Sequence, residues 1–157
     1  MNPTTPVRPT STKDLRELQS VELGPTAWLE LTQDRVQEFA NVTGDQQWIH
    51  VDPARAAASE LGTTIVHGLF TLSLGPVFLE ELMAFDGFAH SLNYGYDKVR
   101  FPAPLPVGSS VRMTATITAV EDVPGGAQVT TRCVFTRKGS DKPICVANSV
   151  GRFYEHN

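Results

Sequence analysis

The chain of 157 residues has few cysteines, no excess of positive charge and no long uninterrupted apolar stretch. Its two cysteines, Cys133 and Cys145, each lie inside an apparent strand, so we expect two reduced core thiols, with a single disulfide as the alternative. The net charge of −4 disfavours nucleic acid as a partner, because phosphate binding needs a basic face. The most apolar run, residues 68–79, is shorter than the roughly 20 residues that cross a bilayer, so no membrane span is predicted.

The sequence also has no secretory signal peptide and no motif for nucleotide binding, metal binding or serine hydrolysis. Residues 1–12 are rich in proline and threonine and have no apolar run, so we expect a flexible lead there, followed by one domain over residues 13–157, in the cytoplasm. There is no GxGxxG motif or P-loop, no metal-binding spacing of histidines or cysteines, and Ser73 does not sit in a nucleophile elbow. The sequence therefore predicts no bound cofactor and no metal site.

Capping signals predict two helices in the first half of the chain. Thr32 is a suitable N-cap for a helix with apolar residues at helical spacing, and that helix is expected to end near Gly44. Asp52, with Pro53 at the first helical position, predicts the start of a second, shorter helix that ends before Gly62.

The second half of the chain predicts one buried helix and one sheet. Residues 68–83 are apolar on nearly every face, which is typical of a buried helix, and Gly75-Pro76 predicts a bend near Leu72. Alternating patterns predict strands at residues 91–101, 111–119, 129–137 and 144–153. Tight turns should join the last three of these strands into an antiparallel meander. With the strand at residues 91–101 and a strand at residues 27–31, the sheet has about five members. The fold class is therefore α+β, with the sheet wrapped around a central helix.

Asp45 and His50 are the most distinctive polar pair. In a helix their spacing would place the two side chains about 140° apart, and in a strand it would place them on opposite faces. They converge only if the chain turns between them, which Gly44 makes easy. Alone, Asp45 would be a turn residue and His50 a structural histidine. The downstream His67-Gly68 changes this interpretation, because Gly68 begins the buried helix and offers free backbone N–H groups.

Two motifs carry a family resemblance: FANVTGDQQWIHVDPARA at residues 39–56 and IVHGLFT at residues 65–71. They are similar to the motifs of the MaoC-type dehydratase family, which includes the (R)-specific enoyl-CoA hydratases, or hydratase 2. Residues 47–52 and residues 98–108 most resemble the nodulation-protein-N-like branch of that family. The chain departs from the commoner pattern at Gln47-Trp48, where many hydratases of this type have Asn-Pro.

The resemblance implies a single hot-dog fold and the hydration of a trans-2-enoyl thioester of coenzyme A or acyl carrier protein, or the reverse dehydration. It implies that Asp45 and His50 activate the water and that the backbone N–H of Gly68 binds the thioester oxygen. His67 would then have a structural or supporting role. Hot-dog subunits usually pair, so the resemblance also implies a homodimer.

Two other functions share this fold. A hot-dog thioesterase would hydrolyse the thioester, but such enzymes commonly carry a carboxylate on the central helix, where this chain has no acid before Glu80. A non-catalytic acyl-thioester-binding subunit would have no need of both titratable groups. The Asp45 and His50 pair therefore favours the hydratase.

Overall fold

The computed structural model describes residues 5–156, so the first four residues of the predicted lead and Asn157 lie outside the described part. The described residues form six helices and six strands. In chain order they are α1 (Thr12–Glu17), β1 (Glu22–Leu23), β2 (Leu29–Glu30), α2 (Gln33–Thr43), α3 (Trp48–Val51), α4 (Pro53–Ala57), α5 (Gly68–Ser73), α6 (Gly75–Leu82), β3 (His90–Arg100), β4 (Ser110–Val123), β5 (Gly126–Arg137) and β6 (Pro143–Tyr154).

One antiparallel sheet holds all six strands in the order β1-β4-β5-β6-β3, with β2 also pairing with β4. The predicted meander is confirmed, because β4, β5 and β6 pair in sequence through short turns. The sheet has six strands rather than about five because the expected strand at residues 27–31 is reduced to β2, and β1 precedes it. Gly24, with a φ of 108°, and Pro25, which has no N–H, interrupt the pairing along β4 between these two short strands.

The buried helix is divided in two. α5 ends at Ser73 and α6 begins at Gly75, so the break lies at Leu74 rather than near Leu72. Pro76 has no N–H to donate to the carbonyl of Leu72, and the N–H of Leu74 donates to the carbonyl of Thr71 at 3.3 Å, as in a tight turn. No helix in the described part of the chain is long and apolar enough to cross a membrane.

The main core lies between α6 and the sheet. Phe78 and Leu82 of α6 belong to one buried cluster with Met113 of β4 and Phe135 of β5. The predicted alternation is confirmed in β4 from Val111 to Ile117, where every second residue is buried: Val111, Met113, Ala115 and Ile117. It ends there because the pairing with β5 shifts between Ile117 and Ala119, and Ala119 is half-buried. One face of the sheet therefore packs on the helix pair, as in the predicted wrapped arrangement.

The two cysteines are free thiols in the core. Burial raises the pKa of Cys133 to about 12, with a smaller contribution from Cys145, and burial raises the pKa of Cys145 to about 11. Both thiols therefore stay protonated at neutral pH and have no nucleophilic role.

Candidate functional site

The C-terminus of α2 delivers Asp45 to the site. Gly44 caps this helix in the left-handed conformation, with a φ of 80°, and its N–H donates to the carbonyl of Ala40 at 2.9 Å. The chain then turns through residues 44–47, as the spacing of the acid and the histidine required. The side chain of Asp45 is 53% exposed.

His50 lies on α3, a single helical turn that follows this bend. No helix was predicted at Trp48–Val51, so α3 is an addition to the prediction. His50 is 7% exposed, and its Nδ1 lies 2.6 Å from the carbonyl oxygen of Ile65. A carbonyl can only accept, so Nδ1 carries the proton in the neutral ring and Nε2 has the free lone pair.

A polar bridge from α2 supports α3. The side-chain amide of Gln33 donates to the backbone carbonyl of His50 at 2.8 Å, and the buried hydroxyl of Thr64 donates to Oε1 of Gln33 at 2.7 Å. Both groups of the Gln33 side chain are therefore used to hold the segments around His50. Gln33 had no distinguishing signal in the sequence beyond its place after the Thr32 cap.

Asp52 is an N-cap, as predicted, because its Oδ1 accepts from the backbone N–H of Arg55 at 3.0 Å. The helix that it begins is shorter than expected and ends at Ala57 instead of continuing to Leu61. The hydroxyl of Ser59 donates to the carbonyl of Ala56 and accepts from the N–H of Leu61, which replaces the helical pattern with a turn.

His67 completes a compact group with the acid and the first histidine. Its ring is 3% exposed and stacks on His50 with the ring centres 3.7 Å apart. Its Nε2 lies 3.0 Å from the backbone carbonyl oxygen of Asp45 and 3.9 Å from Oδ2 of the Asp45 carboxylate. Its Nδ1 is buried and has no hydrogen-bond partner in the described part of the chain.

Metal ligation by this group is opposed by its hydrogen bonds. One potential ligand atom from each of Asp45, His50 and His67 lies within 4.8 Å of the others. However, Nδ1 of His50 and Nε2 of His67 must both carry protons to bond the carbonyls of Ile65 and Asp45. The remaining nitrogen of His67 is enclosed by protein, so a metal would have to break one of these bonds. The arrangement fits acid–base chemistry better.

Burial is the main influence on the pKa of His50, and it lowers that pKa below its ordinary value. The hydrogen bond to the carbonyl of Ile65 opposes this effect, while His67 lowers the pKa further and Asp45 raises it. The net result is a neutral imidazole at neutral pH, with one nitrogen able to accept a proton.

Two adjoining cavities meet at the start of α5. The smaller, of about 120 Å³, is lined by Asp45, His50, His67 and Gly68, among others. The larger, of about 300 Å³, shares His50 and Gly68 and extends along Phe101. Among residues 5–156, no side chain caps the N-terminus of α5. The structure thus brings the three predicted site residues together at one place.

Phe101 is a neighbour of Gly68 that the sequence did not predict. A Cβ atom added at Gly68 would lie 3.1 Å from three atoms of the Phe101 ring. One reason for a glycine here is that, without a side chain, a substrate can approach the backbone closely. The structure adds a second reason, because the space beside the Cα atom is occupied by this ring.

Comparisons with known proteins agree with this architecture. Residues 18–138 match the family model described as MaoC like domain. The chain is 46% identical over 144 residues to 3-hydroxyacyl-thioester dehydratase Z of Mycobacterium tuberculosis, with 91% of this chain and 95% of that protein covered. It is 42% identical over 110 residues to nodulation protein N of Rhizobium meliloti, with 64% of each covered.

A solved structure gives the same result. The (R)-hydratase from Aeromonas caviae, described as involved in PHA biosynthesis, aligns with a TM-score of 0.67 and 29% identity, covering 85% of this chain and 97% of that chain. The hot-dog fold that the two sequence motifs indicated is thereby confirmed. The chain belongs to the MaoC-like dehydratase family.

Proposed function

We propose that this chain is an (R)-specific hydratase of trans-2-enoyl-CoA that also catalyses the reverse dehydration of a (3R)-3-hydroxyacyl thioester. The observation that carries the proposal is the small cavity that Asp45, His50 and Gly68 line together. A carboxylate, an imidazole and a backbone N–H are the groups that this reaction requires. The relatives named as a 3-hydroxyacyl-thioester dehydratase and an (R)-hydratase support the same chemistry.

In the proposed mechanism, a water molecule binds between the Asp45 carboxylate and Nε2 of His50. That nitrogen is the one that the hydrogen bond to Ile65 leaves free. Nε2 accepts one proton of the water as the water oxygen bonds to the β-carbon. The protonated ring then donates this proton to the α-carbon, so His50 returns to its neutral form and the net change is the addition of one water.

The thioester oxygen gains negative charge as the water adds. The backbone N–H of Gly68, the first residue of α5, donates to this oxygen, and the partial positive charge of the helix N-terminus favours the anion. The larger cavity shares Gly68 and His50 with the smaller one, so a thioester bound there reaches both groups. Neither a metal nor a cofactor takes part in this mechanism. Coenzyme A is the proposed carrier, and acyl carrier protein is the alternative.

The test measures hydration of crotonyl-CoA as the loss of enoyl absorbance. Asp45→Asn and His50→Gln should each lower kcat by roughly 100-fold or more, the range typical of a lost acid–base group. Asp52→Asn is the matched control, because asparagine also caps helices and Asp52 does not line the small cavity. Its kcat should stay within about twofold.

Two outcomes would contradict the proposal. Unchanged turnover in both the Asp45 and the His50 variants would remove their assigned roles. Release of free thiol by the wild-type protein, followed with a thiol reagent, would identify a thioesterase instead.

We also propose that two copies of the chain form a homodimer through β3. This strand pairs with β6 on one side, and no strand of the described residues pairs with its other side. Leu92 and Tyr94 of β3 are 51% and 59% exposed. A long unpaired edge strand with exposed apolar side chains is prone to associate with another chain. We propose that β3 of one copy pairs with β3 of a second copy.

A further inference from the structure

We propose that His67 is a positioning residue for the Asp45 and His50 pair, because it bonds the backbone of the first and packs against the ring of the second. The inference rests on the proposed hydratase function and extends it. His67 itself contacts neither the water nor the thioester in this proposal. It sets where the two reacting side chains lie.

The first contact fixes the loop that carries Asp45. Nε2–H of His67 donates to the Asp45 carbonyl at 3.0 Å. The other two hydrogen bonds of Asp45 are local and longer: its N–H donates to Thr43 Oγ1 at 3.4 Å, and its Oδ1 accepts from the N–H of Gln47 at 3.4 Å. The bond to His67 is therefore the firm connection between this exposed loop and the protein interior.

The second contact fixes the orientation of His50. Its ring is bonded through Nδ1 to Ile65 and lies against the face of His67, with the ring centres 3.7 Å apart. A ring held at one edge and along one face cannot rotate freely, so its Nε2 keeps one direction. Since His67 directly precedes Gly68 in the chain, one residue connects the acid, the base and the proposed oxyanion donor.

The buried Nδ1 of His67 supports a role for this ring beyond packing. This atom has no partner among the described residues, and an unpaired buried polar atom destabilises the folded state. A phenylalanine would fill the same place without that cost. The presence of a histidine is therefore explained by the bond that its other nitrogen makes to Asp45.

Two substitutions separate the hydrogen bond from the ring. His67→Gln keeps an N–H donor close to the position of Nε2 but removes the ring, whereas His67→Phe keeps the ring but removes the donor. His67→Phe should lower kcat for crotonyl-CoA by about 10-fold or more with KM within about twofold, and His67→Gln should recover at least a third of the wild-type kcat. His90→Gln is the control, because His90 is exposed and stacks on Tyr154 outside the site.

The values of kcat are compared only among variants whose thermal unfolding midpoint stays near that of the wild type. A folded His67→Phe variant with wild-type kcat would overturn the inference. Equal losses in the Phe and Gln variants would also overturn it, because the inference makes the hydrogen bond to Asp45 the larger of the two contacts and His67→Gln keeps that bond.

A second measurement does not depend on activity, so failure of the hydratase proposal can be recognised separately. Nitrogen-15 NMR of the labelled wild-type chain should find the proton of neutral His67 on Nε2 and that of neutral His50 on Nδ1. The amide signals of residues 45–47 should shift in His67→Phe and stay close to the wild type in His67→Gln. The opposite tautomer of His67, or unchanged loop signals in His67→Phe, would refute the positioning role even in an inactive protein.

Discussion

Replacing Gly68 with alanine distinguishes the two reasons for a glycine at the start of α5. The φ angle of Gly68 is not in the left-handed region, so alanine can adopt this backbone conformation. The new methyl group would lie 3.1 Å from three atoms of the Phe101 ring, closer than ordinary van der Waals contact. The ring therefore has to move, and it borders the cavity that His50 and Gly68 share.

The effect on stability is expected to be small because two contributions oppose each other. Alanine stabilises a helix over glycine by about 0.5–1 kcal/mol. Overpacking typically costs about 1–3 kcal/mol, but the side chain of Phe101 is 44% exposed and can turn toward solvent, which places the cost at the low end. The free energy of unfolding should therefore change by no more than about 1 kcal/mol in urea titrations, while kcat/KM for crotonyl-CoA falls roughly 10- to 100-fold.

A double-mutant cycle with Phe101→Ala gives the decisive comparison. If the glycine is needed to accommodate the ring, Gly68→Ala should change kcat/KM by less than about threefold when Phe101 is already alanine. Equal losses in both backgrounds would refute the role of the ring and leave substrate approach as the reason for the glycine. Full activity of the single variant Gly68→Ala would refute both reasons.

The pH dependence and the oligomeric state give two further predictions. Because burial lowers the pKa of His50, the acid limb of kcat/KM should have an apparent pKa below the ordinary histidine value of about 6.5, and a limb above that value would contradict the proposed base. The unfolded chain takes up the proton more readily, so the free energy of unfolding should fall below about pH 6.5 and be level above it, and His50→Gln should reduce this fall. Sedimentation equilibrium should give about twice the 17.1 kDa mass of one chain, and a mass of one chain at micromolar concentration would exclude the proposed homodimer.

The sequence predicted the elements whose signals are local. The caps at Thr32 and Asp52 and the alternation in β4 depend on neighbouring residues, and each lies where it was expected. The bend predicted near Leu72 is observed as a break at Leu74, two residues further along, where the backbone N–H donates to the carbonyl of Thr71. Local signals were therefore reliable for the start of an element and less reliable for the point where it stops.

The contacts that assemble the site connect residues far apart in the chain, and no spacing rule contains them. Residues 45, 50 and 68 were named from motif and resemblance, and the structure brings them to one cavity. His67 stacks on His50, and the ring of Phe101 lies beside Gly68. Both contacts depend on how the start of α5 packs against α3 and against the residue that follows β3. Sequence alone could assign His67 only a supporting role without saying which atoms it contacts.

Helix α2 has a mechanical consequence for the site. Its first residue, Gln33, holds the backbone of His50, and its C-terminal end delivers Asp45, about 16 Å further along a helix of 11 residues. A small tilt or slide of this helix would move Asp45 and Gln33, which holds the backbone of His50, in the same direction. The distance between Asp45 and His50 would therefore change less than the position of the two residues relative to the sheet. Asp45 and the side chain that supports the backbone of His50 are thus carried by one helix, so any displacement of α2 would move both of them together.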